Sequence, residues 1–193
     1  MRLLMFYGYA GRANTYIIGP KEGGNAILID PGRFEVPLLN MIENNNYYIE
    51  SIILTHGHGS HSKGVSTTLK VYNSSIYAAV GKVDNYRTIM VSDKEKLKIS
   101  GFDVEFFEIP GHSTDSLVFK IGNLLFTGDI FTSGYLGNPI NAYAHNNMQR
   151  EIQERLLTMD GEIIVLPGHG PPSTIQAERE INENLYIPAD VTT

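Results

Sequence analysis

Four apolar runs in this chain each stop at a residue able to hold a metal ion, and that recurrence constrains the fold more than any other feature. Ser51-Ile-Ile-Leu54 leads into Thr55-His56-Gly57-His58-Gly59-Ser60-His61, and Val104-Glu-Phe-Phe-Glu-Ile109 leads into Pro110-Gly111-His112. Leu124-Leu125-Phe126 leads into Thr127-Gly128-Asp129, and Ile163-Ile-Val-Leu166 leads into Pro167-Gly168-His169. Read as buried strands, all four deliver a ligand at their C-terminal ends, where loops on a rigid sheet commonly assemble a site. The chain has six histidines, and five of them stand at these strand ends; His145 alone falls elsewhere.

The local spacing agrees with metal chemistry. In an extended or turning segment residues i and i+2 reach the same side, so His56 and His58 can approach one ion at the roughly 2.0–2.1 Å that zinc–imidazole bonds require. Gly57 and Gly59 let the backbone fold closely around it, and His61 is placed to turn toward a second ion. Gly128-Asp129 alone is an ordinary turn pair; after Leu-Leu-Phe-Thr and in this company Asp129 reads as a carboxylate bridging two ions. Asp30, in Asp30-Pro31-Gly32, reads as a buried residue that hydrogen-bonds loop backbone near the site.

Strand-like runs rich in Ile, Val, Tyr and Phe are predicted at Leu3–Tyr7, Thr15–Ile18, Ala26–Ile29, Ser51–Leu54, Ser75–Ala78, Val104–Ile109, Leu117–Ile121, Asn123–Phe126 and Glu162–Leu166. Helices are predicted at Phe34–Asn44, Met148–Met159 and Thr174–Leu185, the last opened by a capping box of Ser173 and Gln176. With no repeat or linker, residues 1–193 read as a single domain of the α/β (α+β) class. Met1–Ala10 is read as the first strand and not as a leader, because Gly8 interrupts its apolar stretch early. The expected location is cytoplasmic.

Composition removes several function classes. Without cysteine, thiolate catalysis and Cys-ligated zinc are excluded, so imidazole and carboxylate must hold any metal. A net charge of −6 gives no electrostatic reason to expect nucleic acid or an anionic membrane as partner. The expected partner is a small-molecule substrate; the oligomeric state is not legible.

Together these residues resemble the metallo-β-lactamase superfamily, whose His-x-His-x-Asp-His signature is followed by a separate His, a bridging Asp and a final His. In order these fall on His56, His58, His61, His112, Asp129 and His169, and the superfamily's Asp-x-Gly turn falls on Asp30-Pro31-Gly32. The resemblance implies a four-layer αββα sandwich with one or two zinc ions at one sheet edge. It also implies metal-assisted hydrolysis, in which metal-bound hydroxide attacks a carbonyl. The tail Leu166-Pro-Gly-His-Gly-Pro171, with Thr174, Glu178 and Asn182, is similar to compact glyoxalase II-like hydrolases, which cleave thioesters.

Two departures stand out. The Gly-Arg pair common after the bridging Asp in such enzymes is absent. The Asp of His-x-His-x-Asp-His is Ser60, which leaves the second metal with His61, His169 and Asp129 and gives Ser60 at most a role in orienting water. Two other readings follow. One is an iron-dependent persulfide dioxygenase-like enzyme using His56, His112 and Asp129, since imidazole and carboxylate suit iron as well as zinc. The other is a metal-binding relative whose turnover Ser60 has reduced. Tyr135, Tyr143 and His145, after Asp129, are secondary candidates for substrate contact.

Overall fold

The computed structural model describes residues 1–8 and 13–185; Tyr9 and Ala10 of the opening segment lie outside the described residues. The first sheet begins with β1 (Arg2–Tyr7), β2 (Asn14–Gly19), β3 (Gly24–Ile29), β4 (Tyr47–Ile53) and β5 (Ser75–Ala78). After a ribbon of β6 (Lys82–Val83) and β7 (Tyr86–Arg87), β8 (Ile89–Met90) completes it in the order β1-β2-β3-β4-β5-β8. The second sheet holds β9 (Lys96–Ile99), β10 (Phe102–Glu108), β11 (Leu117–Ile121) and β12 (Leu124–Gly128). A ribbon of β13 (Phe131–Thr132) and β14 (Tyr135–Leu136) follows, and then β15 (Ile164–Pro167) and β16 (Ser173–Thr174) give the order β9-β10-β11-β12-β15-β16.

Period-2 alternation along the strands produces the layers. In β2, Tyr16 and Ile18 face the space between the sheets, where they join Ile27, Phe106, Phe119 and Phe126. Their neighbour Ile17 faces the other way, with Ala26 and Leu28, onto Leu38 and Ile42 of α1 (Val36–Asn44). In β12, Phe126 joins the central layer while Leu125 packs outward with Val165 on Met148, Ile152 and Leu156. Tyr16 meets Phe126 edge-on at 5.4 Å, and Phe119 stacks on Phe126 at 4.9 Å. The result is the αββα sandwich, with helices covering both outer faces.

Register brings the strand ends together. β3 and β4 are parallel with Ile29 opposite Ile53, so Asp30 lies beside the loop that starts at Leu54. β12 and β15 are parallel with Gly128 opposite Pro167, which sets Asp129 beside His169. Cross-sheet hydrogen bonds close the same edge: Leu117 N–H to the Thr55 carbonyl at 2.8 Å, Asn14 N–H to the Gly168 carbonyl at 2.7 Å, and the Tyr16 hydroxyl to the Pro167 carbonyl at 2.7 Å.

Three local readings change. The helix expected at Met148–Met159 begins earlier, as α4 (Ala142–Glu151), because the Asn141 side chain accepts the Ala144 N–H. It passes into a π-helical turn at Ile152–Leu156. The last helix is α5 (Ile175–Ile181), and its cap is Thr174, whose side chain accepts the Ala177 N–H; Ser173 instead reaches Glu178. The segment after His58 is not an open loop but a short helix, α2 (Gly59–Ser62), followed by α3 (Val65–Val71). Among the described residues no helix is long and apolar enough to cross a membrane.

Candidate metal centre

The strand-end ligands converge. Nitrogens of His56, His58 and His112 lie within 4.8 Å of one another, as do ligand atoms of His56, His61 and Asp129. His112 Nε2 and His58 Nδ1 are 3.1 Å apart. Asp129 sits in the middle: its Oδ2 is 3.9 Å from His56 Nε2, 3.7 Å from His112 Nε2 and 3.3 Å from His61 Nε2, while its Oδ1 is 2.7 Å from His169 Nδ1. The six residues singled out as ligands therefore share one cluster. Ser60 stands on the first turn of α2, half-buried, directly before His61.

Asp30 organises the imidazoles from behind. It is 2 % exposed and accepts the Thr55 N–H at 2.8 Å and the Thr55 hydroxyl at 2.6 Å. Because that hydroxyl proton goes to Asp30, the Thr55 oxygen is left to accept from His56 Nδ1 at 3.1 Å. Asp30 also takes the Nδ1 proton of His61 at 2.9 Å. On the other side the Asn138 carbonyl accepts from His112 Nδ1 at 3.0 Å. At His56 and His112 these contacts fix a tautomer that leaves Nε2 bare and facing the cluster, the arrangement metal-ligating histidines use, whereas His61 Nε2 faces Asp129 Oδ2 at 3.3 Å. The Asp115 carboxylate, which the sequence reading missed, accepts the Gly57 N–H at 2.8 Å and holds the loop between His56 and His58.

Two observations test whether this set suits a cation. First, His56 Nε2 is buried and has no hydrogen-bond partner among the described residues. Such an atom is costly unless something fills its lone pair. Burial, followed by the neighbouring His61, pushes His56 down to about 4, so the ring is neutral and ligand-competent at neutral pH. Burial lowers His112 as well. Second, burial alone would also lower His61, but Asp30 and then Asp129 overcome it and lift that ring to about 10. Burial would raise Asp129, yet hydrogen bonds from His169 and His61 hold it well below the usual carboxylate range. The cluster thus favours positive charge between Asp30 and Asp129 and presents the neutral rings of His56 and His112 beside it. This is a metal-binding His/Asp site, and the donor set fits.

The centre opens into a cleft of about 240 Å³ lined by His112, Gly128, Asp129, Thr132, Leu136, Gly137, Asn138 and His169. Thr132 and residues 136–138 lie in the segment 132–147, which the sequence marks as a loop that shapes the pocket, but nothing in a Ser-Gly-Tyr-Leu-Gly-Asn run marks which of its residues border the site. Tyr135 and Tyr143 are 69 % and 83 % exposed and are absent from this lining; His145 lies on α4.

Asp30 carries a testable consequence. Its φ of +49 is a conformation that Asn tolerates almost as well, so Asp30→Asn keeps the backbone but turns an amide against donors. Metal affinity, read by chelator competition, is expected to fall about 10–100-fold with the circular dichroism spectrum unchanged. Unaltered affinity would remove Asp30 from the account.

Comparison with known proteins gives the lineage. The family described as the metallo-beta-lactamase superfamily matches residues 8–169. An uncharacterised protein of Mycobacterium leprae is 25 % identical, over 90 % of this chain and 94 % of its own length. A hydroxyacylglutathione hydrolase of Klebsiella pneumoniae is 32 % identical over 67 % of this chain, which spans about half (51 %) of that relative's length. The crystal structure of the BLEG-1 B3 metallo-beta-lactamase superposes with a TM-score of 0.85 at 21 % identity, covering 95 % of this chain and 99 % of that one.

Proposed function

This chain belongs to the metallo-beta-lactamase superfamily, and on that premise we propose that it is a zinc-dependent hydrolase of small acyl thioesters or similar esters. The observation that carries the reading is the convergence of His56 Nε2, His58 Nδ1, His112 Nε2 and Asp129, of which His112 and Asp129 line an open cleft. His56, His58, His112 and Asp129 would hold one ion, and Asp129, His61 and His169 a second. Zinc there would supply Lewis acidity and bring the pKa of water toward about 7.

The chain's own groups do the rest. Asp129 Oδ2, central to the cluster, accepts a hydrogen bond from the attacking water and orients it. The water oxygen bonds to the acyl carbon and the carbon–sulfur bond breaks. The water's proton passes to the departing thiolate, giving an acid and a thiol. Asn138, at the cleft wall, can donate its amide to the acyl group. Among the described residues the lining includes no Lys or Arg. The Klebsiella relative's name, a hydroxyacylglutathione hydrolase, supports the thioester class.

The test is turnover of a panel of short-chain acyl thioesters, lactones and phosphoesters by zinc-loaded protein, with a chelated control. Thioester cleavage lost on chelation is expected. Failure across the panel overturns the proposal, and oxygen uptake with glutathione persulfide by iron-loaded protein would replace it with the dioxygenase reading.

Ser60 bears on metal number. With a hydroxyl where the superfamily signature has a carboxylate, the second ion is expected to bind more weakly than the first. Losing a mere supporting partner costs about 10–100-fold in metal affinity, so Ser60→Asp, which adds a direct ligand, is expected to tighten the second ion at least tenfold in zinc titration calorimetry. An unchanged second-site affinity would show that position 60 does not face the metals.

A further inference from the structure

Glu178 of α5 is completely buried, and the chemistry so far gives it no role. Three donors converge on it. The Ser173 hydroxyl reaches Oε1 at 2.5 Å, the Asn182 amide reaches Oε2 at 2.8 Å, and the Gly134 N–H reaches Oε2 at 3.2 Å. No cationic side chain pairs with it among the described residues. Burying a carboxylate is expensive unless it is hydrogen-bonded, and two of these donors, Ser173 and Asn182, flank its own helix. The third does not: Gly134 is the turn of the β13–β14 ribbon, 44 residues earlier in the chain.

That ribbon is the wall of the cleft. Thr132, Leu136, Gly137 and Asn138 line it, and the Asn138 carbonyl orients His112. At its base the Thr132 hydroxyl is tied to the His169 carbonyl at 2.6 Å, and the Gly137 N–H to the Ile130 carbonyl at 2.8 Å. Only Glu178 anchors its tip through a side chain in the described hydrogen bonds. A carboxylate suits this place because all three neighbours donate to it; glutamine could still satisfy Ser173, whose hydroxyl also accepts, but would lose the charge that strengthens the Gly134 bond.

We propose that Glu178 is a positioning residue that pins the tip of the β13–β14 ribbon, and through Asn138 sets both the shape of the cleft and the orientation of His112. The proposal rests on the reading of this cleft as the reaction site, but its test needs no substrate. Amide hydrogen exchange of the full chain is compared for the parent, Glu178→Gln and Ser173→Ala. A local anchor governs local opening, so exchange across residues 131–138 is expected to rise about tenfold in Glu178→Gln and to stay at the parental rate in Ser173→Ala. The Co(II) absorption bands of the loaded protein, which report ligand orientation at His112, should shift in the first variant only.

If Glu178 merely stabilises α5, faster exchange will be confined to residues 175–181 and the Co(II) bands will not move; either finding overturns the proposal. Should Glu178→Gln fail to fold, Glu178→Asp serves, since it keeps the charge and withdraws it from Gly134. The same exchange pattern is then expected, and its absence is equally decisive. Loss of hydrolysis in every protein including the parent would count against the proposed reaction and leave the exchange result standing.

Discussion

Asp129→Asn is expected to lower hydrolysis by on the order of 10³-fold, the scale seen when a central electrostatic group is removed from an active site. Asn has nearly the same shape, so the effect isolates charge. The carboxylate faces His61 Nε2 and His169 Nδ1 and lies within 4 Å of the His56 and His112 nitrogens. An amide in its place offers one acceptor instead of two oxygens, contributes no charge to offset a dication, and turns donors toward rings that also carry protons. In the proposed arrangement both ions share this residue, so zinc content should fall together with turnover. Steady-state kinetics alongside elemental analysis of the same preparation checks this. Full zinc retention with lost turnover would confine Asp129 to orienting the water, and retention of both would remove it from the site.

Gly168→Ala is expected to do comparable damage without touching a ligand. Gly168 is not among the positive-φ glycines, so alanine fits the backbone there. A Cβ, however, would fall against His61 Cε1 and Asp129 Oδ1. Neither neighbour can yield: His61 is 0 % exposed and held by Asp30, and Asp129 is held by His169. Overpacking of this kind costs typically about 1–3 kcal/mol, which a fold of this size can tolerate. The metal geometry tolerates less, and affinity for zinc should drop about 100-fold, near the upper end of what displaced supporting contacts cost. Thermal denaturation with and without zinc separates the two effects. The zinc-induced rise in Tm should largely vanish in the variant, whereas a rise equal to the parent's would mean that the site repacks around the methyl group.

The fold was legible where patterning is strong. Strands such as Leu117–Ile121 and Ser75–Ala78 occur at the bounds read from their apolar runs. The clustering of histidines at strand ends pointed to one site because parallel strands leave their ends on the same edge, and the observed register of Ile29 with Ile53 and Gly128 with Pro167 meets that condition. Elements whose cause is not periodic were missed. The first turns of α4, Ala142-Tyr-Ala-His-Asn-Asn147, bury little, and only the Asn141 cap marks their start. α3 is rich in Val and Thr, poor helix formers, and is held by burial of Val65 and Thr68.

Around the metal centre, the buried character of Asp30 was readable from its place after a strand, but its contacts to Thr55 and His61 depend on tertiary packing. Asp115 and Glu178 act through backbone N–H groups distant in sequence, and no local pattern announces that.

The most direct test of the central claim is the metal content of protein purified without chelator, measured by elemental analysis for the parent and for His56→Ala. His56 supplies the buried Nε2 that lacks a hydrogen-bond partner among the described residues, so its removal should empty the first site. The account predicts at least one zinc per chain in the parent and well under half that in the variant. A parent that retains no metal above background, or a variant that retains as much as the parent, would contradict it.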